Sequence, residues 1–310
     1  MTESDAFGRG TALAGSTFDL AAHISGLRGC IDEALVRAIA VDQTGPLYAS
    51  MRYTLLNGGK RLRPILCLTC VDLLGGSLQA AMPTACGLEM LHTATLIHDD
   101  LPAMDDDDLR HGRAANHKVF GEGMALLAGD ALLGYCLEFI LKNSRGVDDR
   151  RLLRVVETIV RVVGAEGLTG GQAIDLELKG RDDVDVAALE LMHSRKTAAL
   201  IQASVATGAI IAGADDEVLA QLVSYAGRIG LAYQIVDDVL DEIGTSETLG
   251  KPVGSDRDNG KRTFVQALGV PGAMERATRL AEEAKADLAC LGSRAEPLLA
   301  IADYTCSRVS

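Results

Sequence analysis

Apolar residues recur at three- and four-residue spacing over most of this chain, in long stretches separated by turn-forming clusters. Leu20, Ile24, Leu27, Ile31, Leu35 and Ile39 open the pattern and predict an amphipathic helix with one buried stripe. Similar patterning over about 63–74, 81–98, 123–141, 151–163, 186–212, 216–243 and 271–291 predicts at least eight helices. The separators Gly75-Gly76-Ser77, Asn143-Ser144-Arg145-Gly146 and the stretch 244–260 are turn material, and none reads as an interdomain linker. The expectation is one all-α domain over 19–310, preceded by a mobile Gly/Ser/Thr-rich tail at 1–18. The segment 123–141 is apolar nearly all round, so it is expected in the core or against a partner chain.

Composition agrees with helices. Apolar residues make up 48% of the 310-residue sequence, with 4% aromatics, no Trp and 7 Pro, which suits Ala/Leu-rich helices better than sheet. A formal charge of −13 opposes sequence-independent binding to nucleic acid or anionic lipid. The first twenty residues have no cationic region followed by an apolar core, and no run of ~18 apolar residues predicts a membrane span. A cytoplasmic protein is expected, with the plastid stroma as the alternative if a transit peptide has been removed. Seven scattered cysteines read as reduced thiols. Cys67 and Cys70 form a CxxC without a second pair or a nearby His, inside an apolar run, and read as core.

Part of the acidic excess is concentrated in two clusters. His98-Asp99-Asp100-Leu101-Pro102 follows a long apolar helical run, so the first carboxylates emerge at a helix end. Pro102 should end or kink that helix, letting Asp105 to Asp108 fold back towards Asp99 and Asp100. The second cluster, Asp237-Asp238-Val239-Leu240-Asp241, places Asp241 three and four residues after its partners, on one helix face. A lone cluster of this kind is usually a solvated helix turn. Two of them, each led by an apolar helix, require neutralisation, and hard oxygen ligands point to Mg²⁺. An EF-hand is excluded because its alternating ligands, central Gly and terminal Glu are missing.

Cations stand where a phosphorylated ligand would need them. Gly58-Gly59-Lys60-Arg61-Leu62-Arg63-Pro64 sets three cations in a Gly-led turn at a helix start, able to offer charge and backbone N–H groups to a diphosphate. The strand and spacing of a P-loop are absent.

Gly58 to Pro64, His92 to Arg110, Gly129-Asp130, Gly170 to Asp175, Lys196-Thr197 and Gln234 to Asp241, in this order, resemble the trans-prenyl diphosphate synthases. The resemblance covers about residues 20–310 and is strongest to the geranylgeranyl diphosphate synthases of carotenoid pathways. It implies the all-α isoprenoid synthase fold, with helices around a central cavity, and a homodimer. It also implies condensation of isopentenyl diphosphate with an allylic diphosphate, assisted by three Mg²⁺ ions. Asp99, Asp100 and Asp105 would hold two ions on one side of the allylic diphosphate, and Asp237, Asp238 and Asp241 a third on the other. Arg110, Lys196, Lys251 and Lys261 would clasp that leaving group, with Gln172, Asp175, Thr197 and Gln234 lining the cavity. Lys60, Arg63 and His92 would bind the diphosphate of isopentenyl diphosphate, and 244–260 would form a closing lid.

His111 departs from the family pattern, which has a second Arg there. An imidazole is a weaker, pH-dependent substitute for a guanidinium, so a raised Michaelis constant for isopentenyl diphosphate is expected. Ala94 and Thr95 lie about one helical turn before Asp99, a rise of ~5.4 Å that is close to one isoprene unit, and are the candidate floor for the growing tail. Farnesyl synthases of bacteria carry an aromatic where Ala94 stands, so a 20-carbon product is expected. A farnesyl diphosphate synthase and a non-catalytic regulatory subunit are the alternatives. A terpene cyclase is disfavoured by the second Asp cluster and by Lys60, Arg63 and His92.

Overall fold

The computed structural model describes residues 18–39, 42–181, 183–243 and 261–308. Residues 1–17, Lys251 and the segment 244–260 lie outside these, so the predicted tail and lid are not described. The helices are α1 (Leu20–Ala38), α2 (Pro46–Leu55), α3 (Leu62–Leu73), α4 (Leu78–Asp99), α5 (Asn116–Phe120), α6 (Glu122–Asn143), α7 (Asp149–Val163), α8 (Leu168–Leu178), α9 (Val186–His193), α10 (Ala199–Ala212), α11 (Asp216–Ile243), α12 (Phe264–Asp287) and α13 (Glu296–Ser307). Among the described residues the only strands are β1 (Leu109–Arg110) and β2 (Arg113–Ala114), a hairpin pairing Leu109 with Ala114. The class is all-α, as the periodicity predicts. In α1 the expected stripe is inside: Ile24, Ile31 and Leu35 are buried, as is Ile39 just after the helix.

The chain forms two compact units. One comprises residues 28–158 and 207–213. Its α3 is buried on every side from Pro64 to Val71, and α4 packs on both α3 and α6. Glycines allow close approach here. A Cβ at Gly208 would stand 2.3 Å from the carbonyl oxygen of Cys67, and one at Gly87 2.6 Å from the Ile140 side chain. Cys67 and Cys70 are free, buried thiols. Burial pushes the Cys67 thiol up to about 12, an inert core group rather than a metal or redox site.

The other unit comprises the described residues within 1–27, 159–206 and 214–310. Its core is the packing of α11 on α12, with Leu231, Ile235, Val236 and Val239 against Phe264, Ala273 and Leu280. Helix α12 begins at Phe264, seven residues before the predicted 271, because Thr263 and Gln266 form a reciprocal capping box that starts it there. Gly269, at φ 70, kinks it.

One further expectation is corrected. The predicted helix over 186–212 is interrupted: residues Ser194–Ala198 form a π-helical turn between α9 and α10. Helix α6 is buried on one side only: Ala125, Ala128, Leu132, Cys136 and Ile140 are inside, while Leu126, Leu127 and Leu141 are 48%, 55% and 54% exposed. By length and composition alone α6 is also long and apolar enough to cross a membrane.

Candidate active site

In the unit containing the first Asp cluster, α4 ends at Asp99 with Asp100 as its C-cap. The chain then folds back as expected, the N–H of Asp105 donating to the carbonyl of Asp99 at 2.9 Å and that of Asp106 to Leu101 at 3.1 Å. Asp106 takes the left-handed conformation at φ 52 to make this turn. Asp100 is buried and receives the guanidinium of Arg110, which also reaches Asp107 at 3.1 Å. Burial pushes the Asp100 carboxyl up to about 6 against the pull of Arg110.

Arg110 is aimed by the hairpin. His111 and Gly112 both have positive φ, 50 and 74, the two-residue turn whose twist matches antiparallel strands. The same turn carries the His111 ring over Gly59, where a Cβ would stand 3.1 Å from its Cε1. His111 is therefore beside the Gly58-Gly59-Lys60 turn. His92 is held uncharged, well below its ordinary pKa, first by burial and then by Arg63, His111, Arg110 and Arg61. Basic groups from two separate segments, the turn at Arg61 and Arg63 and the hairpin at Arg110 and His111, thus act on one neutral imidazole, an arrangement suited to an anion.

Of the three cations in the Gly-led turn, Arg61 does not serve as the sequence suggests. It caps α3 in the left-handed conformation, φ 53, and its side chain points inward. There it donates to Glu89 at 2.7 Å, Asp32 at 2.8 Å and the Leu55 carbonyl at 3.0 Å. Lys60 and Arg63 remain as the ligand-facing candidates. Ala94 is buried, and Thr95, half-buried, donates its hydroxyl to the His92 carbonyl at 2.7 Å. Counted along α4, Ala94 shares a stripe with Gly87, which faces Ile140, and with His98, which sits over Gly129.

In the other unit the π turn widens the helix at Lys196 and Thr197. Helix α8 fits against it only because residue 171 is Gly: a Cβ there would stand 2.3 Å from the Lys196 nitrogen. Lys196 pairs with Asp175; burial pushes that carboxyl up, but the charge and hydrogen bond of Lys196, together with Lys261 and His193, hold it below the usual range. Gln172 is half-buried on α8. Thr197 donates to Gln234 at 3.0 Å, and Gln234 donates to Asp238 at 2.9 Å. The other Asp238 oxygen accepts the N–H of Phe264 at 2.9 Å, at the start of α12. Asp238 and Asp241 are buried, and Asp237 receives Arg308 at 2.6 Å.

Sequence reasoning missed Arg308, the inward role of Arg61 and Glu89, and His193. His193 is buried at the end of α9 against Phe264, with neither ring nitrogen hydrogen-bonded. Arg110 was found because it closely follows an Asp cluster in sequence, but nothing local connects Arg308 with Asp237, 71 residues away.

Among the described residues no three ligating side chains form a ready-made metal cage. The donors are nevertheless hard carboxylates, and Asp100 is a carboxyl whose ionisation burial disfavours unless a cation is near. That chemistry fits Mg²⁺, which takes one or two carboxylates together with waters and phosphate oxygens rather than an all-protein cage.

A family model described as polyprenyl synthetase matches residues 45–293. The chain is 50% identical to a dimethylallyltranstransferase of Fischerella ambigua (strain UTEX 1903), over 96% of this chain and 86% of that protein. It is 45% identical to a chloroplastic geranylgeranyl pyrophosphate synthase of Catharanthus roseus, over 94% of this chain and 82% of that one. Among solved structures, an apo FPP/GFPP synthase of Zymomonas mobilis is similar with a TM-score of 0.83 and 32% identity, over 93% of this chain and 99% of that one. With matching motifs, fold and sequence over nearly its whole length, this chain belongs to the polyprenyl synthetase family.

Proposed function

We propose that the chain is a Mg²⁺-dependent geranylgeranyl diphosphate synthase that works as a homodimer. The observation that carries the reading is the gathering of Arg63, Arg110 and His111 around an uncharged His92, beside the Lys60 turn. Lys60, Arg63, His92 and His111 are assigned to the diphosphate of isopentenyl diphosphate, where a neutral imidazole offers a hydrogen bond without adding charge. Arg110, Lys196, Lys251 and Lys261 are assigned to the allylic diphosphate, whose negative charge grows as its carbon–oxygen bond breaks. Asp99, Asp100, Asp105, Asp237, Asp238 and Asp241 would hold Mg²⁺, to which their hard carboxylate oxygens are suited. When bound, the metal supplies Lewis-acid stabilisation of the departing diphosphate. Thr197, Gln234 and Asp175 hold their neighbours in place through the contacts described. The alkene of isopentenyl diphosphate then attacks the allylic cation, and the proton lost in forming the new double bond passes to the released diphosphate. No protein nucleophile is needed, and the apolar helices exclude the water that would quench the cation.

Small side chains at Ala94 and Thr95 support a 20-carbon product, and the names of the relatives support the same reading. The exposed leucines of α6 support an interface between two copies, because a 22-residue apolar helix left open to water is costly. Seven free cysteines support a reducing compartment, and we place the enzyme in the cytoplasm. The testing experiment incubates purified protein with isopentenyl diphosphate, Mg²⁺ and each allylic starter, then separates the dephosphorylated alcohols. A 20-carbon alcohol is expected. A 15-carbon one would retain the reaction and move the floor, and no elongation with any starter would overturn the enzyme reading in favour of a regulatory subunit.

A further inference from the structure

The Arg308 side chain, 5% exposed, is held from several directions at once. Its guanidinium lies 3.8 Å from the centre of the Tyr233 ring and donates to the carbonyls of Tyr233 at 3.1 Å and Thr305 at 3.3 Å. Its remaining arm donates to Asp237 Oδ1 at 2.6 Å, and that carboxylate is 39% exposed. Stacking on an aromatic face and fork donation to fixed carbonyls are the geometry of a guanidinium built into place rather than one sampling the surface. Its grip spans α11 and the end of α13, so the second Asp cluster is tied to the C-terminal helix.

We infer that Arg308 is a positioning residue of the second Asp cluster, a fixed positive charge that orients Asp237 and weakens the cluster's hold on free divalent cation. This rests on the reading of Asp237 as a metal ligand. The ring and the two carbonyls keep the guanidinium beside any cation that reaches Asp237, and like charges a few ångströms apart repel. Asp237 would then hold such a cation well only together with the negative charge of a diphosphate, and the substrate-free enzyme would bind divalent metal weakly. For a divalent ion about 5 Å from the guanidinium, even at the dielectric of water, the repulsion amounts to about tenfold in affinity.

The test counts Mn²⁺ bound to the full-length protein by electron paramagnetic resonance, without substrate. Asp99→Asn/Asp100→Asn is the common background, so that the second cluster is the site read. Arg308→Met should bind Mn²⁺ about tenfold tighter than its parent, and Arg308→Lys, which keeps the charge, should stay near the parent. Adding Asp237→Asn to Arg308→Met should abolish the gain. Thermal melting shows which variants are folded, and if Arg308→Met unfolds, Arg308→Gln takes its place. A purely structural arginine would lower the melting temperature and leave Mn²⁺ affinity unchanged, and that result overturns the inference. Mn²⁺ binding that is absent from the parent even with inorganic diphosphate added overturns the metal reading itself. Binding present in the parent but equal in the variants overturns only the role of Arg308.

Discussion

Replacing Arg61 by Met should cost the protein about 5 kcal/mol of stability, although the residue lies in the turn expected to hold a diphosphate. The Arg61 side chain is 4% exposed and that of its partner Glu89 6%. Removing the guanidinium leaves the Glu89 carboxylate buried without its counter-charge. Its other oxygen, Oε2, already has no hydrogen-bond partner to take up the loss. Breaking such a pair from one side costs roughly 3–5 kcal/mol. The bond to the Leu55 carbonyl adds about 1 kcal/mol, while the arm to Asp32, whose side chain is 43% exposed, contributes ~0–1 kcal/mol after screening by water. Urea unfolding followed by far-ultraviolet circular dichroism measures the sum. The double variant Arg61→Met/Glu89→Leu removes both charges and should regain most of the loss, because a buried pair replaced by apolar groups is often neutral. Its Michaelis constant for isopentenyl diphosphate should stay near that of the parent. A single variant losing under about 1 kcal/mol, or a double variant no more stable than the single, would refute the reasoning. A refolded double variant with a much raised Michaelis constant would return Arg61 to the substrate.

His111→Arg should lower the Michaelis constant for isopentenyl diphosphate, since a guanidinium offers a permanent charge and a fork of donors where an imidazole does not; steady-state kinetics read the effect, and an unchanged constant sinks the idea. Ala94→Phe should shift the product from 20 towards 15 carbons, and at a fully buried position it should also cost about 1–3 kcal/mol through overpacking; product chromatography and urea unfolding separate the two, and an unaltered product length would move the floor to another helix. Burial, opposed by Asp175 and reinforced by Lys196 and Lys261, pushes the His193 imidazole down to about 3. The unfolded chain therefore binds a proton that the folded one does not between about pH 3 and 6.5, so this residue's contribution falls as pH drops below about 6.5. His193→Gln should flatten the acid-side loss of stability by up to about 1.4 kcal/mol per pH unit, and an identical slope in both proteins would contradict it.

The helices were legible in the sequence because their cause is local. A stripe such as Ile24, Ile31 and Leu35 depends only on residues a turn or two apart, and each is buried as its spacing predicts. Asp99 and Asp100 were legible for the same reason, standing where an apolar helix meets Pro102. The interruption at Ser194–Ala198 was not, since the same apolar spacing fits a continuous helix and a helix with a π turn. Which way a cation points was decided only by tertiary structure. Lys60, Arg61 and Arg63 are equivalent in the sequence, yet Arg61 turns inward because Glu89, on a different helix, is buried there and requires a counter-charge. Arg308 reaches Asp237 for a similar reason: α13 and α11 pack together, and that packing sets which carboxylate, Tyr ring and carbonyls meet the guanidinium. Sequence spacing thus determined the elements and the kinds of chemistry they carry. The partner of each charge was determined by packing between helices, because the free energy of burying a charge depends on what the fold brings beside it.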